Sequence, residues 1–315
     1  MSENMKKQNP SQEIKIGKTK MKNPYATKKS GKKSKSDLSG ATKFAKVLIY
    51  ILLGTLVILS ILPFAVMFVN ATRSTPEIFQ RALSLIPSIY LMDNYQHMGR
   101  GNFDAMIGFR NSMIVSTGAT VLAIYFSSLT AFGLVAYNWK LKNAFFTFIM
   151  CILMIPTTAF IVGFYQYMWR LGWTNNHLPL ILPAIASPTI VFFMRQYLFA
   201  TLSIEIVEAA RIDGSGEFAT FNRIILPMMK PALATQAIFV FVATWNQLFL
   251  PMVMLIRTEL FTMPIMVTQL QGDIYRTELG TVYLGLSLTV LPLFIVYFIL
   301  SKYIIAGVAL GGVKE

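Results

Sequence analysis

A chain of 315 residues in which 55% of the side chains are apolar and only 13% charged, with a mean hydropathy of +0.56, carries more apolar surface than a water-soluble domain can bury. Its net charge of +14 does not mark a nucleic-acid-binding surface, because thirteen of the twenty-eight lysines and arginines precede Val47 and belong to one tail. The single cysteine, Cys151, excludes an intramolecular disulfide, and no His, Cys, Asp or Glu group has metal-ligand spacing.

Residues 1–46 are rich in Lys, Ser, Asn and Gly, so a disordered, solvated tail is expected there. Lys28-Lys29 and Lys32-Lys33 could touch anionic lipid head groups, at about 1 kcal/mol per charge. The apolar run 47–69 is long enough to cross a hydrocarbon core of roughly 30 Å and predicts the first span. With it, 47–110 takes in a long external loop holding Pro76, Pro87, Gly99 and Gly101. Five more spans are predicted, at 111–135, 144–168, 180–197, 231–255 and 281–305, the fourth being short and holding Pro183 and Pro188. Residues 111–305 are thus the membrane core, followed by a tail at 306–315.

Six spans put both termini on one side. Twenty-one of the basic residues fall on that side and seven on the other, which predicts cytoplasmic termini. Trp169 and Trp173 then lie at the outer surface and Trp139 at the inner one. His97 and His177, each in an external segment, read as surface residues rather than metal ligands.

No predicted span holds an Asp or Glu in its interior, and Arg195 is near enough to the inner end of the fourth to snorkel. Proton-driven carriers need ionisable groups at that depth, so this class is disfavoured, while sodium coupling through carbonyls and hydroxyls stays open. The interiors carry uncharged polar and aromatic side chains instead. Tyr125, Thr157, Trp245, Asn246 and Gln247 are the candidates for a solute path, since amides satisfy hydroxyls and aromatic faces stack on sugar rings. The same residue types also join membrane helices to one another, so packing remains the alternative for each.

The cytoplasmic segment 201–230 is charged yet patterned like packed helix. Ser203 is a plausible N-cap with Glu205 in the first turn, and Gly214 is placed to end a helix over 204–213 in a left-handed conformation. A second helix is predicted after Ser215, with Phe218, Phe221 and Ile225 at helical spacing and Pro227 as its breaker.

This segment resembles the EAA loop of binding-protein-dependent ABC importer permeases: Glu-Ala-Ala, three residues, Gly, nine residues, Ile, one residue, Leu-Pro. Glu208, Ala209, Ala210, Gly214, Ile224, Leu226 and Pro227 fill every position. The resemblance covers roughly 111–315 and favours the carbohydrate-importer branch, near the smaller permease of the maltose importer. Met154-Ile-Pro156, Leu171-Gly-Trp-Thr-Asn175, Phe193-Met-Arg-Gln-Tyr197, Thr244-Trp-Asn246 and the closing stretch from Gly307 support it.

The resemblance implies an all-α, six-span subunit of a bacterial cell membrane that pairs with a second, related permease as a heterodimer. It implies two ATPase subunits beneath the pair and an extracellular solute-binding protein above it. Glu208, Ala209, Ala210, Asp213, Gly214, Leu226 and Pro227 would couple to the ATPase, and Gly311, Gly312 and Lys314 of the last tail would reach it as well. ATP and Mg would belong to that partner, because this chain lacks Gly-x-x-x-x-Gly-Lys-Ser/Thr and is expected to be neither an enzyme nor a cofactor carrier. The implied solute is a sugar or oligosaccharide. A permease for glycerol phosphate or another solute, or half of a secondary sugar carrier, are the alternatives.

Overall fold

The computed structural model describes residues 35–99, 103–271 and 278–312, and among them every regular element is helical. The chain divides into two units, one ending at Ile58 and the other beginning at Leu59. Helix α1 (Lys35–Asn70) starts well inside the stretch expected to be disordered tail. Its apolar side chains from Val47 to Leu59 are exposed, as suits a helix solvated by lipid.

The stretch that follows α1 is a folded cap. Helices α2 (Thr75–Gln80) and α3 (Leu91–Gly99) are held by Arg73, 4% exposed, whose guanidinium donates to Asn70 Oδ1 and to the carbonyls of Arg81 and Ile86 at 2.7 Å each. Buried Asn94 donates to the carbonyls of Ala71 and Arg73. A Cβ on Gly280 would stand 2.1 Å from the Arg73 carbonyl oxygen, so only glycine lets the last helix approach this cap. Polar satisfaction from scattered partners, not a local pattern, builds the cap.

Helix α4 (Ala105–Ala136) is the central post. Asp104 caps it by accepting from the amides of Met106 and Ile107. Its buried side is a run of small residues, among them Ser112, Ser116, Ala119, Ala123, Ser127 and Ala131, which lets neighbouring backbones come close.

The predicted third span is broken. Helix α5 (Lys142–Leu153) and the stretch through a 3-10 turn (Thr157–Phe160) and α6 (Ile161–Arg170) meet at 85°. Pro156 explains the break, having no amide to donate and holding its predecessor away from helix. The fourth span is longer than expected. Helix α7 (Leu178–Ile181), a 3-10 turn (Leu182–Ile185) and α8 (Pro188–Thr201) together give 24 residues, with both prolines in first turns, where they are tolerated. Arg195 does more than snorkel: its guanidinium lies 4.0 Å from the Phe146 ring centre.

After α9 (Ile204–Ile212) and α10 (Glu217–Thr220), a π-helical stretch (Phe221–Ile225) leads to α11 (Leu226–Met228), then α12 (Lys230–Trp245) after an 80° bend. The helix therefore turns at Met229, not at Pro227, which occupies a first turn. The fifth span is likewise not one helix, because α12 stops at Trp245 before α13 (Phe249–Met254). Helix α14 (Met263–Gln269) precedes α15 (Leu279–Gly312), which runs on through Gly307 where a non-helical tail was expected. Glycine weakens a helix by about 1 kcal/mol without forbidding it. By length and composition four helices can cross a membrane, and six if each bent pair is one span.

Two apolar clusters frame α4 and α12. One gathers Phe103, Phe241, Trp245, Met263 and Met266; the other gathers Phe132, Met194, Leu198, Val207, Phe221 and Ile225 beneath the 201–230 loop.

Candidate coupling loop and solute cleft

Helix α9 is amphipathic by position. Val207 at 0% and Ala210 at 4% exposure face inward, whereas Glu205, Glu208, Ala209 and Ile212 face outward. Ser203 begins it with an extended backbone, but its hydroxyl donates to the Glu205 carboxylate rather than capping the amides. Ile212 is 86% exposed and Phe218 is exposed nearby, so Phe218 is not the buried partner of Phe221 and Ile225 that spacing predicted. Acidic side chains around exposed apolar ones make a surface suited to a protein partner.

Gly214 ends α9 as expected. Its φ is +79°, and the turn carries both Schellman bonds, Ser215 N–H to Ala210 O at 2.9 Å and Gly214 N–H to Arg211 O at 3.0 Å. A Cβ there would meet nothing within 4 Å, so the need for glycine comes from the left-handed backbone and not from crowding. Asp213 is the exposed C-cap, Leu226 is half-buried and Pro227 is exposed.

Three residues that sequence reasoning did not assign to a site fasten this loop. Arg211 Nε donates to Glu217 Oε1 at 2.7 Å, Tyr137 donates its hydroxyl to Glu217 Oε2, and the Arg211 guanidinium lies 5.5 Å from the Tyr137 ring centre. The bonds from Arg211 and Tyr137 hold the Glu217 carboxyl below the usual carboxylate range. Burial, aided by Glu217, pushes the Tyr137 phenol up to about 12. Only the six-residue spacing of Arg211 and Glu217 across two glycines hinted at the pair.

Tyr125, a candidate for the solute path, belongs to the loop as well. Its hydroxyl donates to Asn222 Oδ1 at 3.1 Å and its ring meets Phe221 edge-on. Trp245 is 1% exposed, stacks on Phe241 and donates its indole N–H to the Thr289 carbonyl, which makes it a packing residue of this chain. Asn246 and Gln247 do form a polar break, being exposed between α12 and α13. Thr157 opens the 3-10 turn, and its side chain lies outside the described residues. Gly311 and Gly312 end α15, while Lys314 lies outside the described residues.

Gln247 and Thr244 line a cleft of about 740 Å³ with Phe160, Phe164, Tyr167 and a floor of small residues from α4 and 178–186. Among the described residues, no charged side chain lines it. Two amide or hydroxyl groups facing three aromatic rings can hold a neutral polyol by hydrogen bonding and stacking. His177, read as a surface residue, has Nε2 2.8 Å from the Leu260 carbonyl oxygen and ties the turn before α7 to the one at Thr258–Leu260. Among the described residues no group of three metal-ligating side chains occurs.

Residues 123–309 match the family described as binding-protein-dependent transport system inner membrane component. The chain is 34% identical over 258 residues to the arabinooligosaccharides transport system permease protein AraQ of Halalkalibacterium halodurans, covering 81% of this chain and 92% of that one. It is 31% identical to the lactose transport system permease protein LacG of Rhizobium radiobacter, over 84% of this chain and 95% of that one. The sn-glycerol-3-phosphate transport system permease protein UgpE of Yersinia enterocolitica is 31% identical over 82% of this chain and 93% of its own. Among solved structures, a bacterial ABC transporter involved in the import of the acidic polysaccharide alginate superposes with a TM-score of 0.71, covering 87% of this chain and all of that one, at 21% identity. That likeness shows the fold.

Proposed function

We propose, proceeding from the fact that this chain belongs to the family of binding-protein-dependent transport system inner membrane components, that it forms one half of the path for a neutral sugar or oligosaccharide. It is a non-catalytic membrane subunit, and ATP is hydrolysed on a separate subunit. The observation that carries the choice of solute is the cleft beside Gln247, aromatic and amide-lined without a charged side chain. A phosphate ester such as glycerol phosphate would need a basic group to replace its water, and the lining offers none. The names of AraQ and LacG support a sugar, and UgpE marks the rival.

In this reading the bent pair 142–170 is one span and α12 another beside the four long helices, so six spans carry both termini on the cytoplasmic side and leave 201–230 as a cytoplasmic loop. A related permease completes the path as a heterodimer, two ATPase subunits lie beneath the pair with one docked on the outward face of this chain's α9, and a solute-binding protein delivers from outside. Glu208, Ala209 and Ile212 meet the ATPase, with Ala210, Asp213, Gly214, Leu226 and Pro227 shaping the surface that bears them. Residues 306–315, with Gly311, Gly312 and Lys314, give the ATPase a second contact.

The test is uptake by the complete complex in vesicles, offered arabinotriose, lactose and glycerol 3-phosphate with the matching binding protein. ATP-driven uptake of a neutral sugar without uptake of the phosphate ester supports the reading. Uptake of glycerol 3-phosphate alone overturns it.

A further inference from the structure

The connector between α9 and α10 contains Gly214 and Gly216, and the space where a Cβ of residue 214 would stand is open. Two Schellman bonds and the Thr220 hydroxyl donating to Ser215 Oγ at 3.0 Å set the resting turn, and these few local bonds are what α9 would pivot against under load. Arg211 stands on one side of the turn and Glu217 on the other, joined at 2.7 Å, and Tyr137, the first residue after α4, holds the same carboxylate. Arg211 and Glu217 are 41% and 49% exposed, so the pair is too wet to add much to stability. What a carboxylate held from both sides of a turn, by Arg211 on one oxygen and Tyr137 on the other, does fix is direction.

We propose that Arg211, Glu217 and Tyr137 form a strut that closes the Gly214–Gly216 hinge, so that α9 and the cytoplasmic end of α4 move as one body. The inference rests on the reading of α9 as the ATPase-docking helix and names what keeps that helix aligned. All three are positioning residues, because none lies on the outward face formed by Glu205, Glu208 and Ala209. The load then enters α4, whose small-residue side contacts α8 and α12 and whose Ala119 lines the solute cleft. Tyr125, bonded to Asn222 further up the same helix, gives α4 a second hold on the loop. Thrust on α9 thus reaches the cleft through one rigid element rather than through a flexing turn.

The experiment uses the assembled complex and compares Arg211→Glu, Glu217→Arg, the double exchange and Tyr137→Phe with the parent. Two quantities are read: amide hydrogen exchange across 204–216, and ATP hydrolysis stimulated by the loaded binding protein, with assembly checked by co-purification. Each single charge reversal is expected to speed exchange and to lower stimulation by about threefold, the scale of an exposed pair. The double exchange should restore both to about the level of Tyr137→Phe, because an arginine at 217 cannot accept the Tyr137 hydroxyl proton, and both variants should fall between parent and single reversals. Unchanged exchange in the single variants, faster exchange with normal stimulation, or a double exchange as defective as the singles would each overturn the strut. Gly214→Val run in parallel separates the two claims. If it also leaves stimulation intact, the docking role of α9 fails; if it alone is defective, only the strut does.

Discussion

The loop 201–230 and the cleft beside Gln247 differ in how they are built. The loop is assembled from one continuous stretch, and two of its inward residues, Val207 and Phe221, reach 0% exposure on a cluster shared with α4 and α8. The cleft draws on four separate stretches, Ala119, 159–167, 179–186 and 244–250, and its amide, Gln247, sits where α12 has ended. A surface that must transmit force is held by packing and a fixed turn. A surface that must bind and release a solute is left at chain breaks, where helical hydrogen bonding does not occupy the backbone.

The largest effect expected lies beside the cleft, at the end of α12 away from the loop. Trp245→Ala should cost about 3 to 5 kcal/mol, the usual scale for emptying a fully buried aromatic site, and appear as lost assembly and expression. Its neighbours should behave otherwise. A Trp245→Ala complex that assembles normally and changes only solute preference would move Trp245 from the core to the path.

Next in size is the cleft itself. Gln247→Leu removes an exposed amide from an uncharged lining, and the half-saturating solute concentration should rise by about tenfold, the worth of one good hydrogen bond. ATPase docking should stay intact. Equal uptake kinetics in parent and variant would assign Gln247 to helix packing.

On the loop side the effects of single side chains are smaller. Glu208→Ala should weaken ATPase association by about threefold, as for an exposed charge meeting a basic partner, and leave solute affinity alone. Deleting Gly311 to Glu315 should reduce coupled hydrolysis more than membrane insertion. Normal coupled hydrolysis in the truncated complex would remove residues 306–315 from the ATPase contact.

The same contrast explains what could be read from sequence. Helix α9, its Gly214 ending and the inward Phe221 and Ile225 obey local rules of spacing, capping and backbone handedness, and all were legible. Four of the six apolar runs also lie in helices long enough to span, with ends shifted by several residues. Long-range polar contacts were not legible. Tyr125 read as a path residue because its bond to Asn222 joins positions 97 residues apart, and Trp245 because nothing local marks Thr289 as its acceptor. The Tyr137 bond to Glu217, 80 residues apart, escaped for that reason too, while the cap around Arg73 escaped because its acceptors at Arg81 and Ile86 are backbone carbonyls, which every residue carries. The bends at Met154–Thr157 and Met229 fall inside or beside apolar runs, where hydropathy is blind to direction.

The central claim is that the direction of α9, set by a left-handed residue at 214, carries ATPase force to the path. Gly214→Val and Gly214→Asn test it together. The site has open space, and asparagine tolerates positive φ, whereas a β-branched residue there costs on the order of 1 to 2 kcal/mol and redirects the helix end. The measurement is ATP hydrolysis stimulated by the loaded binding protein in reconstituted complex whose assembly has been confirmed. The account predicts near-parental stimulation for Gly214→Asn and loss of most of it for Gly214→Val; equal, parental stimulation in both would contradict it.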